Sequence, residues 1–293
     1  MKALWAYEPF HQDNKNLQNM HRLLTSLTGS AAHIEIAFIA THTEPSLRLA
    51  FDISPKERFS TYPQEIIEEQ LQDAKLKFDR NKIHVFDEAS SSNTKTAKTL
   101  IKSAHKLNAD LIALFTHARK GYKRLMLGSF AETLIHLSPQ DILILPPTTS
   151  SPTLLKTMLF ASDFERTTTK DIEHILSICK SLKANLVVFH HANISYKEPS
   201  QESSPKSSAY RRKVNEMKSW IEITSKKSKV SCEVLVKSDF KSVTEHIKSI
   251  VKTKKCDLIF VRAKASAKKT LMGGSITRAV VRESTLPVYI LKN

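Results

Sequence analysis

Glycine is scarce in this sequence: five residues in 293. Four of them, Gly121, Gly128, Gly273 and Gly274, fall in two short segments, and only Gly29 lies elsewhere. So little glycine, so placed, marks two points where the backbone must turn tightly or meet a ligand without a side chain in the way. Cysteine is as rare. Cys179, Cys232 and Cys256 are odd in number and far apart, which excludes a disulfide framework and a zinc-finger spacing and leaves plain buried thiols in apolar patterns. No apolar run approaches the ~20 residues of a membrane helix. The apolar stretch in Met1–Pro9 is too short for a signal peptide, so the expected address is cytoplasmic, with no membrane partner. The P-loop lysine motif and the Gly-x-Ser-x-Gly elbow are both missing, which excludes a Walker-type ATPase and an α/β-hydrolase. Acid is in deficit, 29 Asp and Glu against 45 Lys and Arg, for a formal charge of +16. The lysines are spread along helical patterns, as in Lys95, Lys98, Lys102 and Lys106 or Lys248, Lys252, Lys254 and Lys255. Such dispersion reads as solvated faces, and charge alone does not call for a nucleic-acid partner.

What is present is a repeat. With 41% hydrophobic and 25% charged residues the chain is globular, and its length suits two domains. Arg124–Ser129 matches Thr270–Ser275 at an offset of 146, which holds to the end of each half. Ala109–Leu114 matches Cys256–Val261, and Leu4–Glu8 matches Leu159–Asp163. The halves are drawn at 1–147 and 153–293, joined by the Pro146–Pro152 spacer. Short apolar strands alternate with amphipathic helices in both: Ala3–Tyr7, Ile34–Ile39, Ile83–Phe86, Leu111–Phe115 and Ile142–Leu145 in the first, Met158–Ser162, Leu186–Phe189, Ser231–Val236, Leu258–Val261 and Val288–Leu291 in the second. Helical spacing covers Asn16–Leu27, Gln64–Phe78, Thr96–Leu107, Phe130–Leu137, Lys170–Leu182, Tyr210–Ser225 and Ile276–Arg282, with a further helix through Val243–Val251. Uniformly apolar strands between helices predict an α/β fold: two tandem doubly wound domains, each with a parallel sheet of about five strands covered on both faces. Two polar stretches, Thr43–Tyr62 and Asn193–Ser208, interrupt the pattern as surface loops.

Four features recur in order in each half. An acid ends the first strand (Glu8, Asp163), and the fourth strand reads Ala-Asp-Leu-Ile or Cys-Asp-Leu-Ile. A basic loop then leads to Gly-Ser at a helix start (Gly128 and Ser129, Gly274 and Ser275), and a Pro turn (Pro139, Pro287) precedes the last strand. The ordered set resembles the universal stress protein family. The resemblance implies an adenine-nucleotide-hydrolase-like fold, a regulatory or binding role in stress response rather than a reaction, and ATP or another adenine nucleotide as ligand. It also implies domains packed together as a pseudo-dimer, with Ile142–Leu145 and Val288–Leu291 as the seam, and leaves a homo-oligomer open. ATP-binding members carry Gly, two residues, Gly, nine residues, then Gly with Ser or Thr. Here the early glycines are replaced by Phe115 and Ala118 in the first half. In the second they are replaced by Arg262 and Ala265, or by Val261 and Lys264 if the loop is anchored on Gly274.

The candidate nucleotide-binding residues are therefore Glu8, Ala118, Arg119, Gly128, Ser129, Asp163, Ala265, Gly274 and Ser275. Helix-start amides and a small corner residue suit phosphate, and cations such as Arg119, Lys120, Lys264 and Lys268 are able to replace lost backbone contacts. The plainer reading makes Ser129 and Ser275 helix caps and the cations solvated. No catalytic residue and no metal site are expected. His190 and His191 are adjacent on a strand and point to opposite faces. Asp163 with Glu165 reads as capping for the next helix rather than an acid–base pair, and His117 as a local hydrogen-bonding group. Two alternatives stay open: a nucleotide-hydrolysing enzyme of the wider hydrolase-like group, and a basic nucleic-acid-associated protein.

Overall fold

A computed structural model describes residues 1–8, 13–41, 62–89, 92–116, 129–146, 154–164, 167–192, 205–238, 241–263 and 275–292. In chain order the elements are β1 (Ala3–Ala6), α1 (Asn14–Thr28), β2 (Ile34–Thr41), α2 (Tyr62–Asp73), β3 (Ile83–Glu88), α3 (Asn93–Lys106), β4 (Leu111–Phe115), α4 (Ser129–Leu137) and β5 (Asp141–Leu145). They continue with β6 (Thr157–Ser162), α5 (Thr169–Leu182), β7 (Asn185–His191), α6 (Pro205–Ser228), β8 (Cys232–Lys237), α7 (Val243–Lys254), β9 (Leu258–Arg262), α8 (Ser275–Glu283) and β10 (Val288–Leu291).

Packing divides the chain into one compact unit of Met1–Thr153 with Ala263–Asn293, and a second of Leu154–Arg262. In the first unit the strand order is β3-β2-β1-β4-β5-β10. Every pair is parallel except β5 with β10, which is antiparallel. The apolar segments Ile142–Leu145 and Val288–Leu291 thus meet, with Tyr289 opposite Leu143. α1 packs on α2, and α3 on α4. Right-handed crossovers from this strand order put the two pairs on opposite faces of the sheet. In the second unit the order is β9-β6-β7-β8, all parallel, and α5 packs on α6. The mostly parallel sheets flanked by helices are those the apolar strand pattern predicts.

Helix ends follow local chemistry. Asp13 caps α1 by accepting from the Asn16 amide at 2.7 Å, and Gly29, at φ 80°, ends it in the left-handed region. Thr168 with Asp171, and Ser242 with Glu245, form reciprocal capping boxes on α5 and α7. Two helices differ from the sequence reading. α6 starts at Pro205 rather than Tyr210, proline being well tolerated in a first turn where its missing N–H costs nothing. α2 ends at Asp73 rather than Phe78 because Lys75 turns left-handed (φ 57°) and the Leu76 amide closes back on the Leu71 carbonyl at 2.8 Å. Phe78 then leaves the helix and reaches Trp5, ring centroids 6.3 Å apart.

Candidate functional site

In each unit the strand order reverses beside the first strand of the repeat, between β1 and β4 and between β6 and β9. Crevices at the carboxyl ends of strands at such a switch are where doubly wound folds hold ligands. Both strand-end acids fall there: Glu8 two residues past β1, Asp163 directly after β6, each half-buried. Of the remaining candidates, Ser129 and Ser275 open α4 and α8. Ala118, Arg119, Gly128, Ala265 and Gly274 lie outside the described residues, as do Gly121, His117, Glu165 and the loop cations from Lys120 to Arg124 and Lys264 to Lys269.

In the first unit aromatic rings fill the floor of the switch point. Fully buried Trp5 meets Tyr7 at 5.4 Å and Phe115 at 6.4 Å between centroids. Tyr7 donates its hydroxyl to Gln70 Oε1 at 2.9 Å, and burial pushes its pKa far above the phenolic range. Thr116 follows directly after β4. Its amide donates to the Leu145 carbonyl at 3.1 Å, yet its Oγ1 is buried with no hydrogen-bond partner among the described residues, Thr116 being 2% exposed. At the far side of the loop, Ser129 is exposed and its Oγ accepts from Asn93 Nδ2 at 2.5 Å. That bond ties the start of α4 to the first residue of α3.

In the second unit the end of the fourth strand of the repeat carries an ion pair. Arg262, the last residue of β9, places Nε 2.9 Å from Asp171 Oδ2. Asp171 is fully buried, and the same oxygen also accepts from the Thr168 amide at 2.7 Å and the Thr168 hydroxyl at 2.8 Å. Its Oδ1 has no hydrogen-bond partner among the described residues. The Arg262 cation is thereby paired with a buried carboxylate, whose cost of burial its own partners must offset. Beside it His190, 3% exposed, stacks on Phe164 with centroids 4.3 Å apart and planes at 10°. Its Nδ1 lies 3.1 Å from the Ser162 carbonyl and its Nε2 2.8 Å from the Tyr210 hydroxyl. Nδ1 also lies 3.4 Å from the Phe164 amide, a donor; the shorter Ser162 contact calls for the tautomer that donates from Nδ1 and accepts Tyr210 O–H at Nε2, and the Phe164 contact for the other. His190 is thus a structural tether from β7 to α6.

The cap expected of Asp163 and Glu165 belongs instead to Thr168 and Asp171; the Asp163 carbonyl accepts from the Thr167 amide at 2.8 Å. No group of three metal-ligating side chains occurs among the described residues. All three cysteines are free, and burial raises Cys179 to about 12 and Cys232 and Cys256 to about 11, which makes them poor nucleophiles. Cys232 is half-buried rather than fully so. Sequence reasoning missed Thr116, Asn93, Tyr210 and the Asp171–Arg262 pair. Only Asp171 carried a local signal, the Thr-x-x-Asp spacing of a capping box.

The model of the universal stress protein family matches the chain twice, over residues 22–146 and 155–292. No curated protein matches it. Among solved structures, a universal stress protein from Archaeoglobus fulgidus is similar over 99% of this chain and 98% of its own, with a TM-score of 0.65 at 17% identity. A functionally unknown protein from Pseudomonas aeruginosa is similar over 99% of this chain and 92% of its own, with a TM-score of 0.62 at 14% identity. At such identities the structures speak for the fold alone. No helix among the described residues is long and apolar enough to cross a membrane.

Proposed function

The chain belongs to the universal stress protein family, and from that premise we propose that it is a stress-response binding module in which the first half receives an adenine nucleotide and the second half does not. The observation that carries the choice of half is the contrast at the end of the fourth strand of each repeat. Thr116 offers a buried hydroxyl with no partner at the mouth of the loop, and Ser129 and the α4 start stand at its exit. At the matching place in the second half, Arg262 is already held by Asp171. A phosphate entering there must displace a buried ion pair, whereas one entering the first half gains a donor that is otherwise unsatisfied. Glu8, at the β1 end, faces the same switch point and suits the nucleoside end of the ligand. Arg119 and Lys120 would supply charge in place of the absent glycines.

Calorimetric titration with ATP, ADP and AMP tests the reading. Thr116→Val and the Arg119→Ala/Lys120→Ala double variant are expected to weaken binding about tenfold or more, which is the loss of roughly one charge-assisted hydrogen bond. Asp163→Ala is expected to leave it unchanged. Weakening in Asp163→Ala alone would move the site to the second half. Absence of binding at millimolar ligand would remove the nucleotide and leave a module acting through protein contacts.

A further inference from the structure

Charge in the first unit is sorted by face. α2 carries Glu65, Glu68, Glu69 and Asp73 and no base. α3, on the opposite side of the sheet, carries Lys95, Lys98, Lys102 and Lys106 and no acid. The inward side of α3 is Ala97, Leu100, Ser103 and Ala104, all buried. The four lysines, spaced three, four and four residues apart, therefore stand on its solvent side, and all four are exposed. They run along about 16 Å of helix at 1.5 Å per residue. Beyond α3 the charge on this side is balanced, Glu132 and Glu283 against Arg278 and Arg282. α3 packs on α4, and α4 is joined to α8 through Glu132, which lies 3.8 Å from Arg278 Nε and 2.9 Å from Arg282 Nη2. That single carboxylate is shared between two guanidinium groups. Other acids near α3 in the chain, among the described residues, are exposed Asp87 and Asp110 and Glu88, which accepts from the Thr99 hydroxyl at 2.7 Å.

We infer that the exposed lysine face of α3 docks the phosphodiester backbone of nucleic acid, without reading its sequence. A row of unpaired ammonium groups on a straight rod matches a regularly charged polymer, and releasing the polymer's counterions drives such association. The face lacks what a lipid surface would require: the exposed large apolar side chains among the described residues are Met1, Leu154, Ile223 and Val236, none of them on α3. Among the described residues it also lacks exposed Phe, Tyr or Trp rings on which bases would stack, so contact is to backbone rather than bases. Linear spacing alone showed four solvated lysines. The fold adds that their helix has no acid and that all four stand on its solvent side.

The test is fluorescence anisotropy with a short random-sequence DNA duplex across a salt series, using full-length protein. Lys98→Gln/Lys102→Gln is compared with Lys248→Gln/Lys252→Gln on α7, which removes the same charge from exposed positions of the other unit. The α3 variant is expected to bind several-fold more weakly than wild type, and the slope of log K against log salt to flatten by about two, one per lysine. The α7 variant should keep the wild-type slope. Equal losses in both variants, or an unchanged slope in the α3 variant, overturns the assignment to this face. Displacement of the duplex by polyglutamate at equal charge concentration overturns nucleic acid as the occupant in favour of an acidic protein segment.

Discussion

Asp171 is the residue on which the second unit most depends. It is fully buried, accepts two hydrogen bonds and meets the Arg262 guanidinium through one oxygen, and leaves the other oxygen with no hydrogen-bond partner among the described residues. Removing one partner of a buried ion pair strands the other, which costs about 3–5 kcal/mol. Asp171→Ala is therefore expected to lower unfolding stability in urea by that amount, since the half-buried guanidinium of Arg262 would lose its counter-charge. Asp171→Leu combined with Arg262→Met should recover most of the loss, because an apolar pair of similar volume needs no desolvation. Failure of the double variant to recover would mean that the cap on Thr168, and not the ion pair, is what matters. Thr116 predicts the reverse pattern. Its buried hydroxyl lacks a partner, so Thr116→Val should raise the stability of the ligand-free protein by about 1 kcal/mol while weakening nucleotide binding. A gain in stability without a loss of affinity would show that the hydroxyl is a packing defect and no ligand group. Neither residue was legible as special in the sequence. Thr116 is an ordinary β-branched residue at a strand end. Asp171 announces a cap through Thr168 but not a partner that joins it from another strand.

At the scale of elements, glycine scarcity leaves its mark on helix ends. α5 and α7 end on Lys183 and Lys255 at φ 53° and 52°, a left-handed conformation that glycine would adopt without a Cβ penalty. Lys255 is exposed, so Lys255→Gly removes about 1 kcal/mol of backbone strain and gives part of it back in chain entropy. Thermal unfolding should move up by about one to three degrees. A drop would mean that the lysine side chain supports the helix end. The β5–β10 pair holds a second element-scale device. Lys292, 3% exposed, donates its amide to Asp141 Oδ1 at 2.9 Å and its amine to the Ile135 carbonyl, while Tyr289 donates to Asp141 Oδ2 at 2.9 Å. Burial lowers the Lys292 pKa from 10.5 to about 8, with Asp141 opposing. Between those values the unfolded chain holds a proton that the folded chain does not, so this group makes stability rise with pH across the window. The stability difference between wild type and Lys292→Met, measured in urea, should shift in favour of wild type by about 3 kcal/mol from pH 7.5 to 10.5. Titrations of tyrosine and cysteine common to both proteins cancel in that difference. A flat difference would show that the amine stays charged in the fold. Strands and helices themselves were readable, because apolar runs and helical spacing report burial directly. Helix limits were read less well where a left-handed lysine or a first-turn proline, neither of which breaks the apolar pattern, set the boundary.

At the scale of the molecule, the repeat is also a symmetry. The offset of 146 carries Ile142, Leu143 and Ile144 onto Val288, Tyr289 and Ile290. In the antiparallel pair Ile142 faces Ile290, Leu143 faces Tyr289, and Ile144 faces Val288. Ile142 thus faces the equivalent of Ile144, Ile144 faces the equivalent of Ile142, and Leu143 faces its own equivalent, which is the register of a two-fold axis passing between Leu143 and Tyr289. The hydrogen bonds around it are not symmetric. Tyr289 and Lys292 converge on Asp141, and the equivalents of the first two are Leu143 and Pro146, which offer neither hydroxyl nor amine. The second copy has been specialised to hold the first, and the last helix and strand of the chain pack in the same compact unit as its beginning. A fragment of residues 1–153 would lack that cover and expose β5, whose Ile142–Leu145 are buried in the full chain. Exposed apolar strand edges recruit a partner, and the partner of matching register is a second β5. The fragment is expected to form a two-fold dimer through β5, seen by sedimentation, and Leu143→Lys should return it to monomer by placing two like charges opposite each other at the axis. The same substitution in the full chain sets one lysine against Tyr289 and should destabilise the fold without changing its monomer–dimer balance. A folded monomeric fragment would show that the seam follows from the covalent link between repeats and is not encoded in the strand.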